Sequence, residues 1–194
     1  MTMPWRADGS MPSPERYPIV KTRLSCLAAL LLVAACSDKA PPAESAAAQS
    51  APAGTLPLVI NSGGKAHRLT VEAAITPEQQ AQGLMFRTSL PADGGMLFPM
   101  TPPRTASFWM KNTVIPLDML FIRTDGSIAM IAANTTPYAR EPVSAGIPVA
   151  AVLELRGGRA AELDVKEGDR VAWGACAVPE VNVEASLQAV AFCP

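Results

Sequence analysis

Apolar residues in this chain come in short runs broken by turn residues, and the period of the runs changes along the way. Residues 56–60 are nearly continuous in Leu, Val and Ile, and the Asn61-Ser62-Gly63-Gly64 sequence that follows signals a turn. In residues 68–72 polar side chains alternate with Leu69 and Val71, the period of a half-buried strand. The two runs predict an opening hairpin, with His67 solvated at the start of its second strand. Thr76-Pro77-Glu78-Gln79 predicts a helix start. Thr76 suits the cap, Pro77 suits the first helical position, and Gln79 can reach back to close a capping box. Gly83 ends this one short helix, near residues 77–83.

Residues 83–123 concentrate the unusual chemistry of the chain. Residues 90–95 are a turn cluster, 96–98 a short strand, and 99–104, with Pro99, Pro102 and Pro103, a loop. Residues 106–110 read as the next strand and 111–116 as a turn. Residues 117–123 read as a strand that pairs with residues 127–131 through Thr124-Asp125-Gly126, a good hairpin signal. A loop follows over 137–148, holding Arg140 and Glu141. Residues 147–155 form a strand, Gly157-Gly158 a turn, 159–163 a single helical turn, 167–169 another turn, and 170–173 a closing strand. Short strands, frequent turns and one helix predict a mostly β domain over residues 56–173, a compact antiparallel sandwich or barrel. The frequency of Pro, 19 in all, argues against a helical bundle.

The ends of the chain carry different signals. Lys21, Thr22 and Arg23 precede an apolar run ending at Ala35, with Cys36 next. This pattern of a basic segment, an apolar segment and small residues marks residues 1–35 as an N-terminal extension and export signal. The apolar run is shorter than the roughly 20 residues that span a bilayer. Val33-Ala34-Ala35-Cys36 resembles a bacterial lipobox, which implies cleavage before Cys36 and a lipid on its sulfur. The chain is then expected in the bacterial cell envelope, touching the membrane only through that anchor; the alternative is ordinary cleavage near Ala35 and a soluble secreted protein. Residues 36–55, built of Ala, Pro, Ser and Gly, are expected to be a disordered tether. The tail, residues 174–194, holds Cys176 and Cys193. With Cys26 removed and Cys36 lipidated these are the two remaining thiols, and they either pair in an oxidising compartment or stay as buried thiols.

Charge narrows the function classes. The formal charge is −1, and loss of residues 1–35 would leave it near −3. No basic cluster offers itself to a phosphate backbone, so no nucleic-acid partner is expected. His67 is the sole histidine, which leaves little for histidine-ligated metal or a Ser-His nucleophile.

Several linked segments resemble the family known as domain of unknown function 192: Gly83-Leu84-Met85-Phe86-Arg87, Gly95-Met96-Leu97-Phe98, Phe108-Trp109-Met110-Lys111-Asn112-Thr113, Ile115-Pro116-Leu117-Asp118, Phe121, the Gly126 turn, Val152-Leu153-Glu154-Leu155 and Gly168-Asp169-Arg170-Val171. The resemblance covers about residues 56–173. It implies a compact, mostly antiparallel β-sandwich-like domain and no particular activity.

Candidate chemistry gathers on Arg87, Trp109, Lys111, Asn112, Asp118 and Glu154. Polar residues beside apolar strand ends often line a pocket mouth, and Trp109 can stack on a sugar or another flat ligand. The structural reading is that Asp118 accepts backbone N–H groups and holds the 111–116 turn, that Arg87 pairs with Asp118 or Glu154, and that Trp109 fills the core. On the ligand reading, Trp109 and Asp118 face each other. Met85, Met96, Met100, Met110, Met119 and Met130 raise Cu(I), but they lack MxM or MxxM spacing and sit among Leu and Phe, where methionine fills gaps. No metal or cofactor is expected. There is no GxSxG, HExxH or phosphate loop, and Ser107 and Ser127 lack an obvious base; the remaining catalytic option is a carboxylate pair, Asp118 and Glu154. The expectation is a monomeric, non-catalytic module that binds a small molecule, a glycan or an envelope partner protein. The alternatives are a structural or assembly lipoprotein without a ligand, or a hydrolase using carboxylates.

Overall fold

The computed structural model describes residues 54–177, Gln188 and residues 191–193. The export signal, Cys36 and residues 36–53 of the tether lie outside the described residues. The elements in chain order are β1 (Thr55–Ser62), β2 (Lys65–Ala73), α1 (Pro77–Gln82), β3 (Met96–Thr105), β4 (Leu117–Ile122), β5 (Ile128–Thr135), β6 (Pro148–Arg156), α2 (Arg159–Glu162) and β7 (Arg170–Trp173). A 3-10 turn, Gly174–Cys176, follows. The seven strands form one sheet in the order β5-β4-β6-β3-β2-β1-β7. Five of its strand pairings are antiparallel; β2 and β3 are parallel, joined at Glu72–Met96 and Ala73–Leu97.

Local chemistry explains most of the element boundaries. Gly63 and Gly64 both take positive φ in the β1–β2 turn. The α1 cap is a full capping box: the Gln79 N–H donates to Thr76 Oγ1 at 3.2 Å, and the Thr76 N–H donates to Gln79 Oε1 at 3.1 Å. In the β4–β5 hairpin, Asp125 Oδ1 accepts from the Ser127 N–H at 2.9 Å and from its hydroxyl at 2.7 Å.

Two expectations need correction. Residues 99–104 do not form a free loop: β3 runs through them, with its register against β6 shifted between Pro99 and Arg104. Proline lacks the donor that a regular ladder needs, and the irregularity falls where the prolines are. Residues 106–110 are not a strand. Phe108 makes only an isolated bridge to Val143, with N–H···O distances of 2.9 and 2.7 Å.

The sheet is open but curls until its edge strands approach at one end. Ser127 bridges Arg170, the Ile128 N–H donates to the Asp169 carbonyl at 2.8 Å, and the Val171 N–H donates to the Gly126 carbonyl at 2.9 Å. Inside the curl lies an aliphatic core that includes Leu58, Ile60, Val71, Leu97, Leu120, Leu153 and Trp173. The other face of β3, β4 and β6 is covered by the segment after α1, through Leu84 and Leu90, and by loops, over a second core with Met96, Phe98, Met100, Met110, Met119 and Phe121. β4 is therefore buried at all six positions. These methionines fill the gaps between aromatic rings that the sequence assigned them. Cys176 and Cys193 form a disulfide with Cα atoms 5.2 Å apart, and Phe192 stacks on Trp173 with ring centroids 4.4 Å apart.

Candidate functional site

Alternation along a strand sends neighbouring side chains to opposite faces, and this separates the two buried carboxylates. In the β4–β6 pairing Asp118 opposes Leu155 and Met119 opposes Glu154. Asp118 therefore shares the face of Leu155 and Leu120, in the aliphatic core, while Glu154 shares the face of Met119 and Met96. A carboxylate pair across one groove is not what the fold builds.

Asp118 is fully buried and fully engaged. Its Oδ1 accepts from the N–H groups of Asn134 at 2.8 Å and Gly158 at 3.0 Å, and its Oδ2 accepts from the Ala160 N–H at 2.8 Å. It fixes the end of β5 and the first turn of α2. The 111–116 turn, expected to be its partner, is not involved, and neither is Arg87. Arg87 instead pairs with Glu72 of β2 through both guanidinium nitrogens; the Nη2–Oε2 distance is 2.7 Å. That pair ties the segment after α1 to the sheet, and its hydrogen bonds hold the Arg87 guanidinium above its usual pKa.

Glu154 differs in every respect. It is 5% exposed, yet no hydrogen bond or ion pair reaches its carboxyl among the described residues. Burial alone pushes its pKa up to about 8, so the group is mainly protonated at neutral pH. It lies at a groove of about 320 Å³, lined also by Gln80, Leu84, Phe98, Met100, Phe108, Trp109 and Lys111.

The groove wall is built by three devices. First, α1 is tied to β3: Gln80 Nε2 donates to the carbonyls of Ala74 and Pro99, each at 3.1 Å, and Arg104 donates to Gln80 Oε1 at 3.3 Å. Second, Gly83 takes φ +50° at the end of α1, where an added Cβ would stand 3.3 Å from the Phe98 ring. Third, Phe108 points inward, edge-on to Phe98 at 5.0 Å and to Phe121 at 6.2 Å. Anchoring Phe108 turns its neighbour Trp109 outward, where it is 51% exposed rather than in the core. Lys111 Nζ sits 5.3 Å from the Trp109 ring centroid.

Asn112 stands beside the groove. It takes φ +51°, its carbonyl accepts from the Phe86 N–H at 2.8 Å, and with Trp109, Lys111, Tyr138 and Arg140 it lines an adjoining depression. Of the six residues singled out in the sequence, Trp109, Lys111 and Glu154 thus meet at the groove and Asn112 adjoins it. Arg87 and Asp118 do other work, and Trp109 and Asp118 do not share a site. Sequence reasoning missed Tyr138, whose loop joins the site through a hydrogen bond from its N–H to the Thr113 carbonyl at 3.2 Å, a contact across 25 residues that no local signal announces. His67 is half-buried rather than solvated, with Nε2 unbonded. Among the described residues no group of three or more His, Cys, Asp or Glu side chains converges as metal ligands would.

The family model of DUF192, described as "Uncharacterized ACR", matches residues 58–173. Several solved structures are similar, two of them as follows. One, from Sinorhizobium meliloti 1021 and described as a "putative transcription regulator", is 41% identical with a TM-score of 0.62, covering 63% of this chain and 96% of that one. The other, a protein of unknown function from Novosphingobium aromaticivorans DSM 12444, is 44% identical with a TM-score of 0.60, covering 64% of this chain and 94% of that one. No curated protein matches the chain.

Proposed function

The chain belongs to the DUF192 family, and from its site we propose that it is a non-catalytic binding module that takes a small hydroxyl-bearing molecule into the Glu154 groove. The proposal places it in the bacterial cell envelope, exported by residues 1–35 and lipid-anchored at Cys36. The observation that carries the reading is Glu154. Its carboxyl opens on the groove without a protein partner among the described residues, so its hydrogen-bonding capacity is available there. A ligand hydroxyl supplies the missing bond. The protonated carboxyl can both donate to it and accept from it, Leu84, Phe98, Met100 and Phe108 provide the apolar wall, and Trp109 offers a flat face at the mouth. The volume falls at the small end of ligand pockets, which run about 300–1,000 Å³.

A thermal-shift screen with monosaccharides, polyols and small hydroxy acids tests it, because a ligand of the native state raises apparent stability by mass action. The expected hit stabilises the native protein, loses its effect in Trp109→Ala and Glu154→Leu, and weakens as pH rises past about 8. A library with no hit, or hits indifferent to both substitutions, would overturn the reading. A nucleic-acid role, suggested by the description of the Sinorhizobium structure, gains nothing from a formal charge of −1.

A further inference from the structure

Three large aromatic side chains project into solvent on neighbouring loops: Phe86 at 69%, Trp109 at 51% and Tyr138 at 60% exposure. Single exposed apolar residues are ordinary, but a cluster of aromatic rings marks an interaction surface. Trp109 and Tyr138 line one depression of about 380 Å³ together with Lys111, Asn112 and Arg140. Phe86 joins them through its hydrogen bond to the Asn112 carbonyl. A second depression, of about 300 Å³, shares Trp109 and Arg140 with the first and is lined also by Ser107, Phe108 and Pro142. Trp109 and Arg140 therefore border both hollows.

The surface is held rigidly and at a cost. Phe86 and Tyr138 take φ +64° and +61°, a left-handed backbone that bulky residues avoid and that costs about 1–3 kcal/mol each. Backbone bonds hold the surrounding loops in place: Tyr138 N–H to Thr113, Met110 N–H to the Ala139 carbonyl at 3.2 Å, and Phe86 N–H to Asn112. Its charge has one sign. Lys111 and Arg140 are exposed, and neither has a carboxylate partner among the described residues. Glu141, the adjacent carboxylate in sequence, lines neither hollow. The whole chain is negative, so this is a local positive surface on an acidic protein.

We propose that the two hollows that share Trp109 and Arg140 bind successive residues of an acidic polysaccharide, with Trp109 and Tyr138 stacking on sugar rings and Lys111 and Arg140 pairing with carboxylates along the chain. Flat aromatic rings suit the apolar faces of sugars, the Asn112 amide suits hydroxyls, and cations without a carboxylate partner among the described residues select an anionic chain over a neutral one. An extended chain suits two hollows in series better than a compact ligand does. A hollow lined by an amide and two cations suits a chain that carries hydroxyls and carboxylates. This surface adjoins the Glu154 groove and shares Ser107, Phe108, Trp109 and Lys111 with it, whereas Tyr138 and Arg140 belong to the hollows and not to the groove.

Calorimetric titration of the full chain with tetragalacturonate and with maltotetraose tests the proposal. The expected result is binding of the acidic oligomer at least roughly tenfold tighter than the neutral one, weakened by added salt. Arg140→Gln and Tyr138→Asn should each weaken it by roughly tenfold, the scale of an interface anchor; Asn is chosen at 138 because it tolerates the left-handed backbone. Lys65→Gln, which removes an exposed cation on β2, should leave binding unchanged. Equal affinity for the two oligomers, binding indifferent to Arg140 and Tyr138, or no binding would each overturn the proposal. So would vesicles of phosphatidylglycerol competing away the oligomer with the same sensitivity to Arg140→Gln and Tyr138→Asn, which would identify the surface as a lipid contact.

Discussion

Asp118 and Glu154 are two buried carboxyl groups on adjacent strands of one sheet, and they live under opposite rules. Asp118 points into the aliphatic core and accepts three backbone N–H groups at 2.8–3.0 Å. Glu154 points to the other face, into the methionine and phenylalanine layer, and meets no partner. A carboxyl answered by several N–H groups organises the backbone around it. One left unanswered gives up its charge and waits for a guest. Burial is therefore a poor guide to function by itself; whether hydrogen-bonding capacity is used up is what separates scaffold from site.

The comparison is most severely tested at Asp118. Asp118→Ala would strand three backbone donors, two of them in the turn leading into and through α2, and should cost about 4 kcal/mol or more. Chemical denaturation reads this directly; a cost under about 1 kcal/mol would show that the three bonds do not hold the structure.

Glu154 should behave in the opposite sense. Its folded-state pKa of about 8 lies above the ordinary 4.5. Between those values the unfolded chain releases a proton that the folded chain keeps. The penalty for ionising Glu154 in the fold is therefore absent below about pH 4.5 and grows as pH rises, so stability falls across this window and levels off above about 8. The slope is at most about 1.4 kcal/mol per pH unit. Glu154→Gln should flatten it and make the protein more stable than the parent at mildly alkaline pH. Parallel denaturation curves for the two proteins at every pH would remove the distinction from Asp118.

Smaller effects are expected at the residues that shape the site from outside the sheet. Arg87→Ala removes the pair with Glu72, which is partly solvent-screened, and should cost about 1 kcal/mol in denaturant melts. Trp109→Ala should change stability by less than about 0.5 kcal/mol, as exposed substitutions do, while abolishing ligand-induced thermal shifts. A large stability loss at Trp109 would mean that the ring is a core residue after all.

What the sequence made legible is what short-range chemistry controls. Thr76, Pro77 and Gln79 specify the start of α1 because cap, first turn and reaching amide lie within four residues. Asp125 and Gly126 specify the β4–β5 hairpin for the same reason, and the alternation of Leu69 and Val71 places β2. The polar cluster was legible only as a list of residue types. Asp118 was recognised as an acceptor of backbone N–H groups, but its donors lie 16, 40 and 42 residues away. Glu72, the partner of Arg87, lies on a strand that pairs in parallel with β3, and nothing local foretells that pairing. Residues 106–110 alternate like a strand because Ala106 and Met110 are buried, Phe108 is half-buried and Ser107 and Trp109 are exposed, yet the N–H groups of Phe108 and Met110 bond to a loop at 143 and 139. Pro99, Pro102 and Pro103 suggested a break where the sheet instead tolerates a shifted register.

The most direct measurement is a carbon-13 NMR titration of the glutamate side-chain carboxyls, with Glu154→Gln as the assignment control. The account expects one carboxyl resonance to titrate near pH 8, to be missing in the variant, and to shift when a groove ligand binds. If every glutamate titrates in the ordinary range near 4.5, Glu154 is solvated or partnered, and the groove loses the group around which its function is argued.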